Sequence, residues 1–317
     1  RAEAEQGRAE AEQGRAEAET AREQGFTEKA AHLEELLQYI KDNNIEADAK
    51  LAEAIKNAIK GTDEFVYLDA NDGNVKSMPN TNQLGGNVAA VYYAGKRSIN
   101  PGTNYKMVGG GNKLIRSIDL SGWDFNAATD MVYFMNAASN LKTLTLPDNM
   151  TLANVTNMSY CFNGCNNLRS LDTSKWTLEN VTNMDSCFSS CGSLQSLDTS
   201  KWTLANVTNM SSCFKGCNNL QSLDTSKWTL ENVTSMYRCF NFCEHLREID
   251  LSSCNITKCT NWERWIYGSP IYTLRIGLID FSVCGYVNFL EETDIRELTG
   301  TLKGIKNNFT AKLKRMT

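Results

Sequence analysis

Histidine is nearly missing from this chain: 317 residues contain two, His32 and His245. Neither sits near a plausible nucleophile or set of metal ligands, so the sequence predicts a protein that is not an enzyme and carries no cofactor or catalytic metal. Long apolar runs are missing as well. No stretch reaches the roughly eighteen residues that a membrane-crossing helix needs, so no membrane insertion is expected. A basic excess is missing too: the net charge is −5, without the cationic footprint of a nucleic-acid binder. There is no secretory-signal pattern, and the chain opens on Arg1 inside a repeat rather than on Met, which reads as a fragment. What is present suffices for a core, since 41% of residues are hydrophobic. The length allows two or three domains.

Cysteine is abundant, with eleven residues. Eight form four Cys-Phe-x-x-Cys units: Cys161/Cys165, Cys187/Cys191, Cys213/Cys217 and Cys239/Cys243. On a helix this spacing places both thiols on one face. The adjacent Phe162, Phe188, Phe214 and Phe240 are what a core requires, so buried free thiols acting as small hydrophobes are expected. Zinc or disulfide bonding is the alternative, and the spacing lacks the compact second pair of a zinc knuckle.

The chain divides by pattern. Residues 1–61 are expected to form a helical coiled-coil stalk and a second helix. RAEAEQG runs from Arg1 to Gly7 and again from Arg8 to Gly14, a heptad of strong helix formers. Phe26, Ala30, Leu33, Leu37 and Ile40 continue it as an apolar 4-3-4-3 seam, which predicts self-association, a homotrimer in the first instance although Ala/Gly seams also allow dimers. Residues 62–113 read as a small β module capping a solenoid: a strand at Phe65–Leu68, a turn at Asn71–Gly73, a return strand at Asn74–Met78 and another strand at Val88–Tyr93.

Residues 114–317 are a repeat array with a C-terminal cap. Leu168, Leu194, Leu220 and Leu246 recur every 26 residues. Ile115 and Leu141 extend the series upstream and Ile271 downstream, with one residue inserted or deleted. Each unit reads as a short strand (LxxLDxS), a turn (KWTLENVTNM) and a short helix (SCFxxC, as in Ser186–Cys191). The fold class expected is therefore α+β: coiled-coil helix, β module, then a leucine-rich-repeat solenoid of about seven units. One such unit cannot bury its own apolar face, so stacking about 5 Å apart would line up identical residues in ladders. Trp176, Trp202 and Trp228 form one ladder, read as core with an exposed glycan-stacking stripe as the alternative. Asn180, Asn206 and Asn232 open Asn-Val-Thr sequons, read as a ladder bonding turn backbone, with glycosylation as the alternative.

The segments NVTNMSYCFNGCNNLRSLDTS and NVTNMSSCFKGCNNLQSLDTS resemble the BspA-type leucine-rich repeat over about residues 114–300. The chain departs from that pattern by placing Cys where Met is frequent and Trp where Phe is usual. The resemblance implies an adhesive or surface-binding protein. The N-terminal heptads resemble stalk repeats of phage tail fibres and other virion appendages.

Ligand candidates come from where the units differ. Changes cluster on the expected helix and its exit: Asp185, Ser211 and Tyr237 in one column, Ser189, Lys215 and Asn241 in a second, and Ser190, Gly216 and Phe242 in a third. The strand face offers Arg169 and Arg247, and an aspartate column (Asp172, Asp198, Asp224, Asp250) that caps turns unless a cation is bound. The irregular C-terminal units add Trp262, Trp265, Tyr267, Tyr272, Tyr286 and Phe289, read as a cap or as a carbohydrate platform. The function expected is non-enzymatic recognition of a cell-surface protein or glycan, outside the cell, as a phage tail-fibre or receptor-binding component, with a BspA-like bacterial cell-surface adhesin as the alternative.

Overall fold

The structure, a computed structural model, describes strand residues 64–69, 75–79, 88–93 and 97–98, then 115–121, 123–283 and 295–303. Three strands come first: β1 (Glu64–Asp69), β2 (Val75–Pro79) and β3 (Val88–Tyr93). They form an antiparallel sheet in the order β2-β1-β3, with β1 and β2 paired as the alternating pattern predicts. Strand β4 (Arg97–Ser98) then pairs in parallel with β6 (Trp123–Asp124), after β5 (Ser117–Asp119).

From β5 onward every pairing is parallel and joins one repeat to the next. Strand β7 (Thr143–Thr145) pairs with β5; β8 (Ser196–Leu197) pairs with β9 (Ser222–Leu223). The longer strands β10 (Glu248–Ile256), β11 (Thr273–Asp280) and β12 (Glu297–Lys303) close the described structure as one sheet, with a single 3-10 turn at Phe281–Val283. A line of parallel bridges runs through Asp130, Asn157, Asn183, Asn209, Ser235 and Asn261, one per rung. The result is a β-solenoid with leucine-rich-type repeats.

This corrects the expected α+β class. Among the described residues there is no α-helix. The stalk expected over residues 1–61, with its seam Phe26, Ala30, Leu33, Leu37 and Ile40, lies outside the described residues, and no coiled-coil helix is seen among those described. The segment expected to be a repeat helix is a run of turns instead. Within it, every second N–H leaves its own rung: Met184 donates to Asn209 O (2.9 Å), Ser186 to Ser211 O (2.8 Å), Phe188 to Cys213 O (2.8 Å) and Ser190 to Lys215 O (2.6 Å). The intervening ones close turns three residues back: Cys187 to Met184 O, Ser189 to Ser186 O, Cys191 to Phe188 O. Ser186 (φ 54°) and Ser190 (φ 61°) are left-handed, as the third residue of a type II turn must be. Tyr133, Tyr160, Ser212, Arg238 and Arg264 repeat the first position. A left-handed non-glycine residue costs on the order of 1 kcal/mol. Stacking offsets this because a neighbouring rung supplies an acceptor for each outgoing N–H, which a helix would have used internally.

The core is built from columns. The rings of Phe162, Phe188, Phe214 and Phe240 stack at 5.4, 5.7 and 5.4 Å, within 6° of parallel. Trp176, Trp202 and Trp228 stack at 6.3 and 6.4 Å, so the tryptophans are core and not an exposed stripe. The thiols of the described residues are free and buried. Cys191, Cys217 and Cys243 each donate to the carbonyl of the phenylalanine one rung back (Phe162, Phe188, Phe214; 3.1–3.2 Å), and Ser269 takes the same role toward Phe240. Burial pushes the Cys187, Cys213, Cys217 and Cys239 thiols well above their ordinary range and Cys243 to about 12, which keeps them protonated and unreactive.

Two polar ladders hold the outer corner. Asn180, Asn206 and Asn232 donate to Ala153, Glu179 and Ala205 O (2.7–2.8 Å), so the sequon amides are engaged in stacking. Thr182, Thr208 and Thr234 hydroxyls donate to Thr156, Thr182 and Thr208 O.

Candidate binding surface on the turn face

Within each turn run, buried side chains recur at a spacing of three and four residues, with accessible ones between them. In the rung at Met158–Cys165, Met158, Cys161, Phe162 and Cys165 are buried, while Tyr160, Asn163 and Gly164 reach the surface. Equivalent positions in successive rungs lie one rung repeat apart, so outward columns run along the solenoid axis, among them the one that holds Asp185, Ser211 and Tyr237. Their residues change along the axis, unlike those of the core.

The first column reads Tyr133, Tyr160, Ser186, Ser212, Arg238, Arg264. Tyr133 and Tyr160 stack at 5.2 Å and 23°. The Asp185 carboxylate beside Tyr160 pushes its phenol above the ordinary value. The second column includes Asn163, Ser189, Lys215, Asn241 and Tyr267; the third includes Gly164, Ser190, Gly216, Phe242 and Gly268. Phe242 is the largest exposed apolar side chain here, 47% accessible, with its ring edge-on to Tyr267 at 5.6 Å. Gly268 leaves room for that ring, since a Cβ there would land within 2.5 Å of Phe242. Arg238 lies over Tyr237 (4.8 Å) and Arg264 over Tyr267 (5.3 Å), each guanidinium on the electron-rich ring face.

The residues singled out from sequence divide accordingly. Asp185, Ser211, Tyr237, Lys215, Phe242 and Tyr267 are partly or fully accessible on the turn face. Ser189 and Asn241 are buried there, and Asn241 is spent on a bond to Tyr267 O (2.8 Å). Trp265 is core, fully buried against Phe240 and Trp262, which removes it and Trp262 from any exposed platform. Arg169 and Arg247 are exposed on the strand face, away from these columns. Arg247 lies over the ring of Tyr272 (5.6 Å), which Arg296 also approaches (4.6 Å), a separate small cluster at the C-terminal end. Tyr286 and Phe289 fall outside the described residues.

Sequence reasoning missed Tyr133, Tyr160, Arg238 and Arg264. The signal was present: they occupy one column of a 26-residue register, alongside Ser186 and Ser212.

The strand-face aspartates are turn caps. Asp172, Asp198, Asp224 and Asp250 accept the backbone N–H two residues on, at 3.0, 3.1, 2.9 and 2.9 Å. The Ser174 hydroxyl and N–H hold Asp172 below the usual carboxylate range, and Ser226 does the same for Asp224. No cation is needed to explain the column.

Comparison with known proteins adds a family and a likeness. The family described as "Mycoplasma protein of unknown function, DUF285" matches residues 105–222 and 187–283, more than half of the chain in total. Among solved structures, a leucine-rich repeat protein from Bacteroides ovatus is similar at 14% identity, covering 78% of this chain and 92% of that one, with a TM-score of 0.20. No curated protein matches the chain.

Proposed function

The chain belongs to the DUF285 family, whose function is unknown, and we propose that it is a non-enzymatic recognition protein that binds a cell-surface protein or glycan through the turn face of its solenoid. The observation that carries this reading is the contrast between columns. Core, asparagine and threonine columns repeat the same residue from rung to rung, whereas the outward turn columns change and collect Tyr133, Tyr160, Tyr237, Phe242 and Tyr267. Aromatic side chains left partly open to water cost solvation and are typical of binding surfaces. A rigid backbone that presents variable side chains is the arrangement through which repeat proteins recognise partners.

The work of such a protein lies outside the cell, on a bacterial surface. A tail-fibre role rests on the N-terminal heptads, which the described residues do not include, so the surface-adhesin form is the one proposed. The test is saturable binding of the labelled full chain to a panel of intact bacterial and animal cells, read by flow cytometry. Binding to at least one cell type, diminished by turn-face substitutions and not by strand-face ones, supports the proposal. Absence of binding across the panel, or turnover of a substrate by the purified chain, would overturn it.

A further inference from the structure

The turn face is uneven along the solenoid axis. At one end Tyr133 and Tyr160 stand as a stacked pair. At the other, Tyr237 with Arg238, and Phe242 with Tyr267, form a second aromatic group. Between them, over the rungs that contain Ser186 and Ser212, every accessible side chain of the turn runs except Lys215 is small or short: Asp185, Ser190, Ser211, Ser212 and Gly216, with Ser186 and Ser189 largely buried among them. Tyr160 and Arg238 occupy one column three rungs apart, which at about 4.8 Å per rung separates the two aromatic groups by roughly 14 Å. The surface is therefore a saddle with aromatic ends and a hydroxyl-rich floor.

The floor holds an unspent polar group. Ser189 is 6% exposed; its backbone N–H is bonded to Ser186 O, while its hydroxyl makes no hydrogen bond among the described residues and is not one of the buried unpaired groups, so it opens at the surface. Water reaches it in the free protein, so a ligand that covers the floor must replace that water with a hydrogen bond or leave the hydroxyl unpaired, at a cost of about 1–3 kcal/mol. Ser190 is exposed beside it, and the Asp185 carboxylate lies at the Tyr160 end of the floor.

We infer that the turn face between Tyr160 and Phe242 is a binding site for an extended oligosaccharide lying along the solenoid axis. A pyranose ring has an apolar C–H face and a rim of hydroxyls. Its face suits the half-exposed rings of Tyr160 and Phe242, and its rim suits Ser189, Ser190, Ser212 and Asp185. The rung repeat is comparable with the length of one sugar residue, so consecutive sugars meet equivalent positions of consecutive rungs. A protein partner fits less well, because a stable protein interface needs about 800 Å² per partner around a buried apolar anchor, and the centre of this surface is hydroxyls rather than rings. Arg238 and Arg264 are already stacked on Tyr237 and Tyr267, so they hold the aromatic end in place and leave its outer edge free.

This inference rests on the proposal that the turn face is the recognition surface. The test uses the full chain on an immobilised array of defined linear oligosaccharides, in parallel with the cell panel. Three variants are compared: Tyr160→Ala, Phe242→Ala, and the strand-face set Arg169→Ala, Gln195→Ala and Gln221→Ala, each first shown to melt as the parent does to within a few degrees. The expected result is binding to oligosaccharides of three or more sugars, weakened at least tenfold by Tyr160→Ala and by Phe242→Ala and unchanged in the strand-face set. Should those truncations fail to fold, Ser190→Lys, which crowds the exposed floor, is expected to produce the same loss. Cell binding that persists with no array signal overturns the oligosaccharide and leaves surface recognition standing. Array binding abolished only by the strand-face set overturns the turn-face site. Silence on both cells and array overturns the recognition reading as well.

Discussion

The middle rungs and the C-terminal rungs stack by the same rule, yet their backbones differ. Between Leu168 and Cys243 the strands shrink to two residues each, β8 and β9, and turn hydrogen bonds and side-chain ladders carry the stacking. From Glu248 onward three strands of nine, eight and seven residues form a continuous parallel sheet. Local sequence accounts for the change. In the middle rungs the residue after each Asp is a buried threonine whose hydroxyl crosses to the next rung: Thr173 to Asp198 O (2.7 Å) and Thr199 to Asp224 O (2.6 Å). The Asp–Ser cap then bends the chain toward the Trp column. At the end, Leu251 replaces that threonine and Cys254 the tryptophan, and Ile249 and Leu251, then Cys254 and Ile256, alternate with outward residues as a strand requires, on either side of an irregularity at Ser252–Ser253 where the register shifts. Identical rungs permit parallel ring stacks and polar ladders. Where the rungs cease to be identical, the rings turn edge-on, as Phe240 does to Trp265 (72°), and a hydrogen-bonded sheet takes over.

That difference can be broken at several points. The largest effect is expected from Trp202→Ala, which empties the middle of a continuous aromatic stack and should cost about 3–5 kcal/mol in a denaturant or thermal melt; a loss under about 1 kcal/mol would show that the column is not what holds the middle rungs. Next, Gly277→Ala should cost about 1–3 kcal/mol by overpacking, because its Cβ would land on the Cys254 carbonyl of the adjacent strand. By contrast Gly192→Ala, in a turn of a middle rung, meets nothing nearer than 3.9 Å and should be close to neutral by the same melt. A smaller effect is expected from Thr199→Val, which keeps the shape but removes the cross-rung bond to Asp224, for a loss of about 1 kcal/mol.

The smallest effect concerns pH. Asp172 and Asp224 are held below their unfolded value by Ser174 and Ser226, so their contribution is present above about pH 4 and is lost as pH falls through their depressed folded values. Both side chains are largely exposed, so Asp172→Asn with Asp224→Asn should only slightly flatten the acid limb of a stability-versus-pH curve. A variant whose stability still falls as steeply below about pH 4 would place the acid sensitivity elsewhere.

The solenoid was legible because periodicity survives any local misreading. Leu168, Leu194 and Leu220 fix the register, and the burial of the Trp, Cys and Met columns follows from needing an apolar face per unit. The helix expected at Ser186–Cys191 was not legible in that way. Its Cys-Phe-x-x-Cys spacing satisfies a helical face and a chain of turns equally, and the outcome depends on whether N–H groups bond within or between rungs. The contrary clue was glycine at Gly164, Gly216 and Gly268, one left-handed position recurring in alternate rungs. The candidate surface was half legible. Column-by-column differences located Tyr237, Lys215 and Phe242, but burial removed Ser189 and Asn241 as freely presented side chains and took Trp265 into the core. Tyr133 and Tyr160 were less legible because they lie upstream of the three most alike units, and a residue inserted between them shifts the register.

In this account repeated columns are scaffold, and unrepeated turn columns are the recognition surface. The most direct measurement uses residues the chain already supplies. Tyr160→Ser, Tyr237→Ser and Phe242→Gly together install the residues found at the same positions of neighbouring rungs, Ser186, Ser211 and Gly216. Thermal melting and cell binding of this triple variant are measured on one preparation. The prediction is a melting temperature within a few degrees of the parent and a loss of cell binding. Full binding by a normally folded triple variant would contradict it.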